Sequence, residues 1–77
     1  MPRYFMHLMD DVDKVIDDEG VLMPEDAIVG AALSAARDCM AGDIHTGRLR
    51  LKHRIDVHND AGDLVHSLVF EDAIEID

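Results

Sequence analysis

The sequence predicts a two-layer α+β domain of order β-β-α-β-β: one antiparallel sheet with a single helix, at about residues 25–44, on one face. Three observations predict it. One stretch alone repeats apolar residues at three- and four-residue spacing. Apolar runs of strand length lie in pairs on both sides of it. Acidic, glycine-containing turns join the members of each pair. Two hairpins flanking one helix are most economically accommodated by one sheet with the helix on a single side.

Residues 3–9 (RYFMHLM) form the first expected strand, with Tyr4, Met6 and Leu8 on one side and Phe5, His7 and Met9 on the other. DDVD (10–13) reads as a turn, because Asp side chains accept from nearby backbone donors. KVI (14–16) is a short second strand and DDEG (17–20) a second acidic turn, ending in a glycine suited to positive φ. VLM (21–23) continues that strand beyond a bulge, and Pro24 breaks it.

Pro24, Glu25 and Asp26 suit a helix start, since the acids face the positive end of the macrodipole. Ile28, Ala31, Ala32, Ala35, Ala36 and Cys39 share one face, which Leu33, Met40 and Ile44 broaden. Small side chains there let the helix lie close to a sheet. Gly30 softens the helix start, and Gly42 or Gly47 marks its end. RLRLKHR (48–54) is a connection leading into the strand RIDVH (54–58). NDAGD (59–63) is a hairpin turn with Gly62 in the left-handed position. LVHSLVF (64–70) is a strand apolar on both faces, and 71–77 bends into a short alternating end carrying Ile74 and Ile76.

A chain of 77 residues makes one domain, 1–77. A domain this small buries only about 60% of the surface its unfolded chain exposes, so it gains from a disulfide, a metal or a partner. Cys39 is the only cysteine, which excludes an internal disulfide and fits a reducing compartment. Arg3, Tyr4, His7 and Asp10 interrupt any secretory core, and no apolar run reaches membrane length, so a cytoplasmic location is expected. The net charge of −10, from 17 acidic and 7 basic residues, disfavours general nucleic-acid or anionic-membrane binding.

Several of these pieces together resemble a family of small uncharacterised bacterial proteins, a domain of unknown function. Its pattern begins PRYFFHL, continues with an Asp-x-Glu-Gly turn before Leu-Pro, carries an Ala- and Arg-containing helix, and ends on a Gly-Arg hairpin and Phe-x-Asp-Ala. The matching residues are Pro2, Arg3, Tyr4, Phe5, His7 and Leu8, then Asp17, Glu19, Gly20 and Pro24. Leu33, Ala36, Arg37 and Ala41 match in the helix, and Gly47, Leu49, Arg54, Ile55, Val57 and Gly62 follow. Phe70, Asp72 and Ala73 complete the set. The chain departs from the pattern at Asp11, where glycine is expected, at Leu22, where a polar residue is expected, and at His66, where an aliphatic one is expected. The resemblance implies the fold and no assigned activity.

The residue types for chemistry are present but poorly spaced for it. Five histidines and Cys39 raise a zinc question, yet no Cys-x-x-Cys or His-x-x-x-His pair occurs. His58 and His66 meet across their hairpin only if the register allows it. A calcium loop started at Asp11 fails, with Val15 and Ile16 at its fifth and sixth positions. Ser34 and Ser67 lie in no nucleophile elbow, and Cys39 on the apolar helix face reads as an inert thiol. No cofactor and no enzymatic activity are expected.

Two surfaces remain. The helix covers one sheet face, so Phe5, His7 and Met9 are the candidate interface of a homodimer. His7 there is a packing residue or, paired across a symmetric interface, a pH-sensitive contact. The strip Arg48, Arg50, Lys52 and Arg54 alternates with Leu49, Leu51 and His53. It either pairs with acidic turns, of this chain or of a second subunit, or contacts phosphates, as in an antitoxin-like or regulatory nucleic-acid-associated protein. The expected function is a non-enzymatic interaction module.

Overall fold

A computed structural model describes every residue except Asp11 and Asp77, so the Asp11 departure lies outside the described residues. The first strand, β1 (Arg3–Met9), lies inside the sheet. It pairs antiparallel with β2 (Lys14–Val15), β3 (Val21–Leu22) and β4 (Arg54–Asn59), and β4 pairs with β5 (Leu64–Val69). The order is β2-β1-β4-β5, with β3 on β1 beside β2.

The β2 and β3 segments act as one interrupted edge strand. Leu8 and Met9 face Val15 and Lys14, while Arg3 and Tyr4 face Leu22 and Val21. The acidic loop bulges out between them, as the turn chemistry of 17–20 predicts. As an interior strand, β1 has a paired strand along each edge, so the side chains on either of its faces pack laterally against those of its neighbours.

Helix α1 (Ile28–His45) follows a short 3-10 turn, Glu25–Ala27, close to the predicted bounds. Ile28, Ala32, Ala36 and Met40 are its buried residues and pack with Tyr4, Ile55, Val57 and Phe70. Met6 and Leu8 pack against the same core, so the helix-facing side of β1 is the predicted one. The helix ends where Gly47 takes φ +85°, with the Gly47 N–H donating to Ile44 and the Arg48 N–H to Asp43. These two bonds form a Schellman motif. Ile44 departs from the expected stripe and is 64% exposed, one turn beyond the buried Met40.

The 59–63 hairpin has the predicted form. Asn59 Oδ1 accepts from the Ala61 and Asp63 N–H groups, and Gly62 sits at φ +86°. The C-terminal segment corrects the sequence reading, which expected a strand to residue 70 and an alternating end beyond. Residues Phe70–Ala73 form a 3-10 turn instead. The Phe70 N–H donates to His53 and the Glu71 N–H to Leu51, so pairing with the incoming chain continues briefly. The turn then buries Phe70 and Ala73, and Arg37 Nε on α1 donates to the Ala73 carbonyl at 2.8 Å. Burial and this tertiary bond outweigh the local alternation. Among the described residues no helix is long and apolar enough to cross a membrane.

Candidate functional site

The side of the sheet away from α1 has no covering element among the described residues. Strand alternation places Phe5, His7 and Met9 of β1 there, as the sequence predicts. Opposite them on β4 stand His58, Asp56 and Arg54. On β5, Leu64 faces His58, Ser67 faces Asp56 and Val69 faces Arg54. A register shift between Val57 and His58 gives β5 one extra residue there, a β-bulge.

The β4–β5 register settles the histidine question. Val57 pairs with His66, which puts His66 on the helix side and His58 on the uncovered side. The two do not meet. His58 instead approaches His7, with ring centroids 5.1 Å apart and planes tilted by 48°. His7 Nδ1 accepts the Asp17 backbone N–H at 3.0 Å. A neutral imidazole has one acceptor nitrogen, so His7 carries its proton on Nε2. Metal-bound histidines show the opposite arrangement, donating their second nitrogen to an acceptor. His7 as hydrogen-bonded is therefore no metal ligand. Among the described residues no three His, Cys, Asp or Glu side chains gather as a ligand set.

Asp17 organises this corner. Its Oδ2 accepts from the Met6 N–H at 3.1 Å, and its Oδ1 accepts from Glu19 and Gly20 at 3.2 and 3.0 Å. Burial works against its charge, but the donors from Gly20, Met6 and Glu19, with His7 nearby, outweigh burial and hold its carboxyl below the ordinary 3.8. The stability linked to this group is present above the ordinary value and is lost as pH falls through the lowered one. Asp17→Ala is expected to cost about 2 kcal/mol, because the half-buried Met6 N–H loses its acceptor. It should also flatten the acid limb of a urea-midpoint profile. An unchanged midpoint at pH 7 would contradict this role.

Asp56 is 7% exposed yet well satisfied. Arg54 Nε reaches its two oxygens at 3.1 and 3.2 Å, and Ser67 Oγ donates to Oδ1 at 2.6 Å. His58 Nδ1, by contrast, is buried without a hydrogen-bond partner. Phe5, His7, Met9, Ile16, Asp17 and His58 are among the residues lining a concavity of about 490 Å3 on this face.

Apart from Arg54, which stands on the uncovered face, the basic strip lies elsewhere. Arg48, Arg50, Lys52 and His53 line a separate hollow of about 580 Å3 together with Asp10. Lys52 Nζ meets Glu71 at 3.0 Å, His53 Nε2 meets Asp10 at 3.3 Å, and Arg54 is held by Asp56. Two of the four strip residues, Lys52 and Arg54, thus pair with the chain's own acids, one of the readings open from sequence. Donation from the Asp13 and Val12 N–H groups holds the Asp10 carboxyl low, with His53 and Arg50 adding to it. Burial, then Asp43 and Asp38, push the Cys39 thiol up, which is the reverse of an activated nucleophile.

Sequence reading placed Phe5, His7 and Met9 together but missed Asp17 and Asp56. The signal for Asp17 was its position three residues before Gly20, where a carboxylate caps the following N–H groups. For Asp56 it was the alternation with Arg54 two residues earlier, which shares its face.

A family model described as a domain of unknown function (DUF6894) matches residues 3–71. No curated protein and no solved structure is detectably similar. The chain belongs to the DUF6894 family.

Proposed function

We propose that this family member is a non-enzymatic interaction module that docks the uncovered face of its sheet against the same face of a second copy. The carrying observation is the amount of apolar side chain left on that face. Phe5, Met9 and Val69 are only half-buried, and Ile16, Leu22 and Leu64 are 52%, 53% and 57% exposed. Contiguous apolar surface of this kind marks an interaction site.

Charge argues for a second copy as the occupant. The chain carries a net −10, so two copies repel over most of their surfaces. The uncovered face is the exception. Its strands present Arg3, Lys14 and Arg54 against Asp56, with Asp17 and Asp60 at the rim of the concavity. Two such faces approach without the general repulsion. At strand dimensions the face measures about 23 by 19 Å, roughly 440 Å2 per copy, which falls below the stable range and suits a weak, reversible association.

Light scattering between 10 and 200 µM is expected to show a mass rising toward twice the 8.6 kDa chain mass. Phe5→Asp and, independently, Val69→Asp should hold the mass at one chain, with the helical circular-dichroism signal retained. A wild-type mass near 8.6 kDa at every concentration overturns the proposal.

The rival reading, a nucleic-acid-associated protein using residues 48–54, is favoured only by Arg48 and Arg50, which have no carboxylate within ion-pair distance among the described residues. Lys52 and Arg54 are engaged by Glu71 and Asp56. Two adjacent guanidinium groups in an acidic chain make a weak phosphate surface. Absence of heparin retention at low salt removes this reading.

A further inference from the structure

We infer that the hydrogen bond from the Asp17 N–H to His7 Nδ1 is an acid-released latch, which holds the 16–20 loop over the uncovered face at neutral pH and lets it go when His7 is protonated. One proton sets the geometry. With Nδ1 accepting at 3.0 Å, a second proton on His7 has only Nδ1 to occupy. That proton would point at the Asp17 N–H, donor against donor, so the bond breaks on protonation. Histidine is the side chain that makes this change between about pH 5 and 8.

The surroundings offer the new charge no ready replacement. Around His7 stand His58, Asp56 and Arg54 of β4, Lys14 of β2, Asp17 of the loop and Asp60 of the β4–β5 turn. Asp56 is engaged by Arg54 and Ser67. The Asp17 carboxylate is turned to the N–H groups of Met6, Glu19 and Gly20. His58, 5.1 Å away centroid to centroid, opposes a charge on His7 when it is itself protonated. For Asp17 to turn its carboxylate toward a charged His7, it must let go of the N–H groups that shape the loop. Either route loosens residues 16–20. Gly20 lies directly against Tyr4 and Phe5, so loosening the loop uncovers the β1 end of the face.

The latch stands on this geometry alone; its effect on assembly rests on the self-docking reading above. Protonation would place an imidazolium charge on His7 at the facing surface of each copy and free the loop, so association should weaken.

The test is amide hydrogen exchange at Asp17 and Gly20, corrected for intrinsic rate, from pH 7.5 to 5.0. Protection at Asp17 is expected to fall about tenfold, with the midpoint of the His7 imidazole resonances. In His7→Gln, whose carboxamide oxygen accepts without titrating, protection should stay flat. His58→Gln should keep the pH-dependent loss, which preserves the test if His7→Gln folds poorly. Constant protection through the His7 titration, or an equal fall in His7→Gln, overturns the latch. Light scattering in the same buffers separates the two ideas. A chain that is monomeric at both pH values yet loses protection supports the latch and ends the docking reading.

Discussion

Phe70→Ala is expected to remove most of the domain's stability and to lower its melting temperature by about 15–30 °C. Phe70 is 1% exposed and, with Val57, is one of the two largest fully buried side chains. It sits where the chain leaves β5 and turns into the C-terminal 3-10 segment, and its ring lies 5.8 Å from that of His53. Truncating a buried phenylalanine costs about 3–5 kcal/mol, part lost transfer energy and part cavity. A chain of 77 residues has about 4–12 kcal/mol to lose, and small domains sit toward the lower end. Alanine there also loosens the turn that presents the Ala73 carbonyl to Arg37. Phe70→Leu keeps most of the volume and should cost far less. Thermal unfolding by circular dichroism decides it; a fall of under about 5 °C for Phe70→Ala would mean that the C-terminal turn is no part of the cooperative core.

Phe70 also shows where sequence reading stops. Period-2 alternation made it the end of a strand, and nothing local contradicts that. What favours the bend is the burial of Phe70 and Ala73 and a bond from Arg37, 36 residues away from the carbonyl it binds. Elements set by local chemistry were legible: the α1 stripe from Ile28 to Met40, the Asn59–Asp63 turn and the sidedness of Tyr4, Met6 and Leu8. Ile44 obeyed the helical period but not the fold, since a stripe says which way a side chain points and not whether a sheet still lies beneath it. The uncovered face was legible to the same depth. Alternation put Phe5, His7 and Met9 side by side, yet their partners depend on register. Pairing Val57 with His66 sent His66 to the helix side and left His58 beside His7. Asp17 reaches His7 through a loop closed by its own carboxylate, and no periodic pattern encodes that closure.

That loop gives the second large expected effect. Gly20→Ala should cost about 2–4 kcal/mol, well beyond the about 1 kcal/mol of a usual glycine replacement at positive φ. Gly20 has φ +71°, and a Cβ there would lie 2.9 Å from each of Arg3 Cγ, Phe5 Cε1 and the Tyr4 carbonyl oxygen. The Arg3 side chain can move aside and the Phe5 ring can swing. The Tyr4 carbonyl belongs to β1, which pairs with β3 on one side and β4 on the other, so shifting it disturbs both ladders. Gly62 is the control. Its φ of +86° carries the same conformational penalty, but a Cβ there meets nothing within 4 Å. The difference between the urea midpoints of Gly20→Ala and Gly62→Ala thus reads the close approach of the loop to β1, with backbone strain cancelled. Equal midpoints would refute that approach. Because the Gly20 and Met6 N–H groups share the Asp17 carboxylate, displacing Gly20 should also lower Asp17 amide protection at neutral pH. A variant that loses stability but keeps that protection would show that the Asp17 bond to His7 holds without the packing of Gly20 on β1.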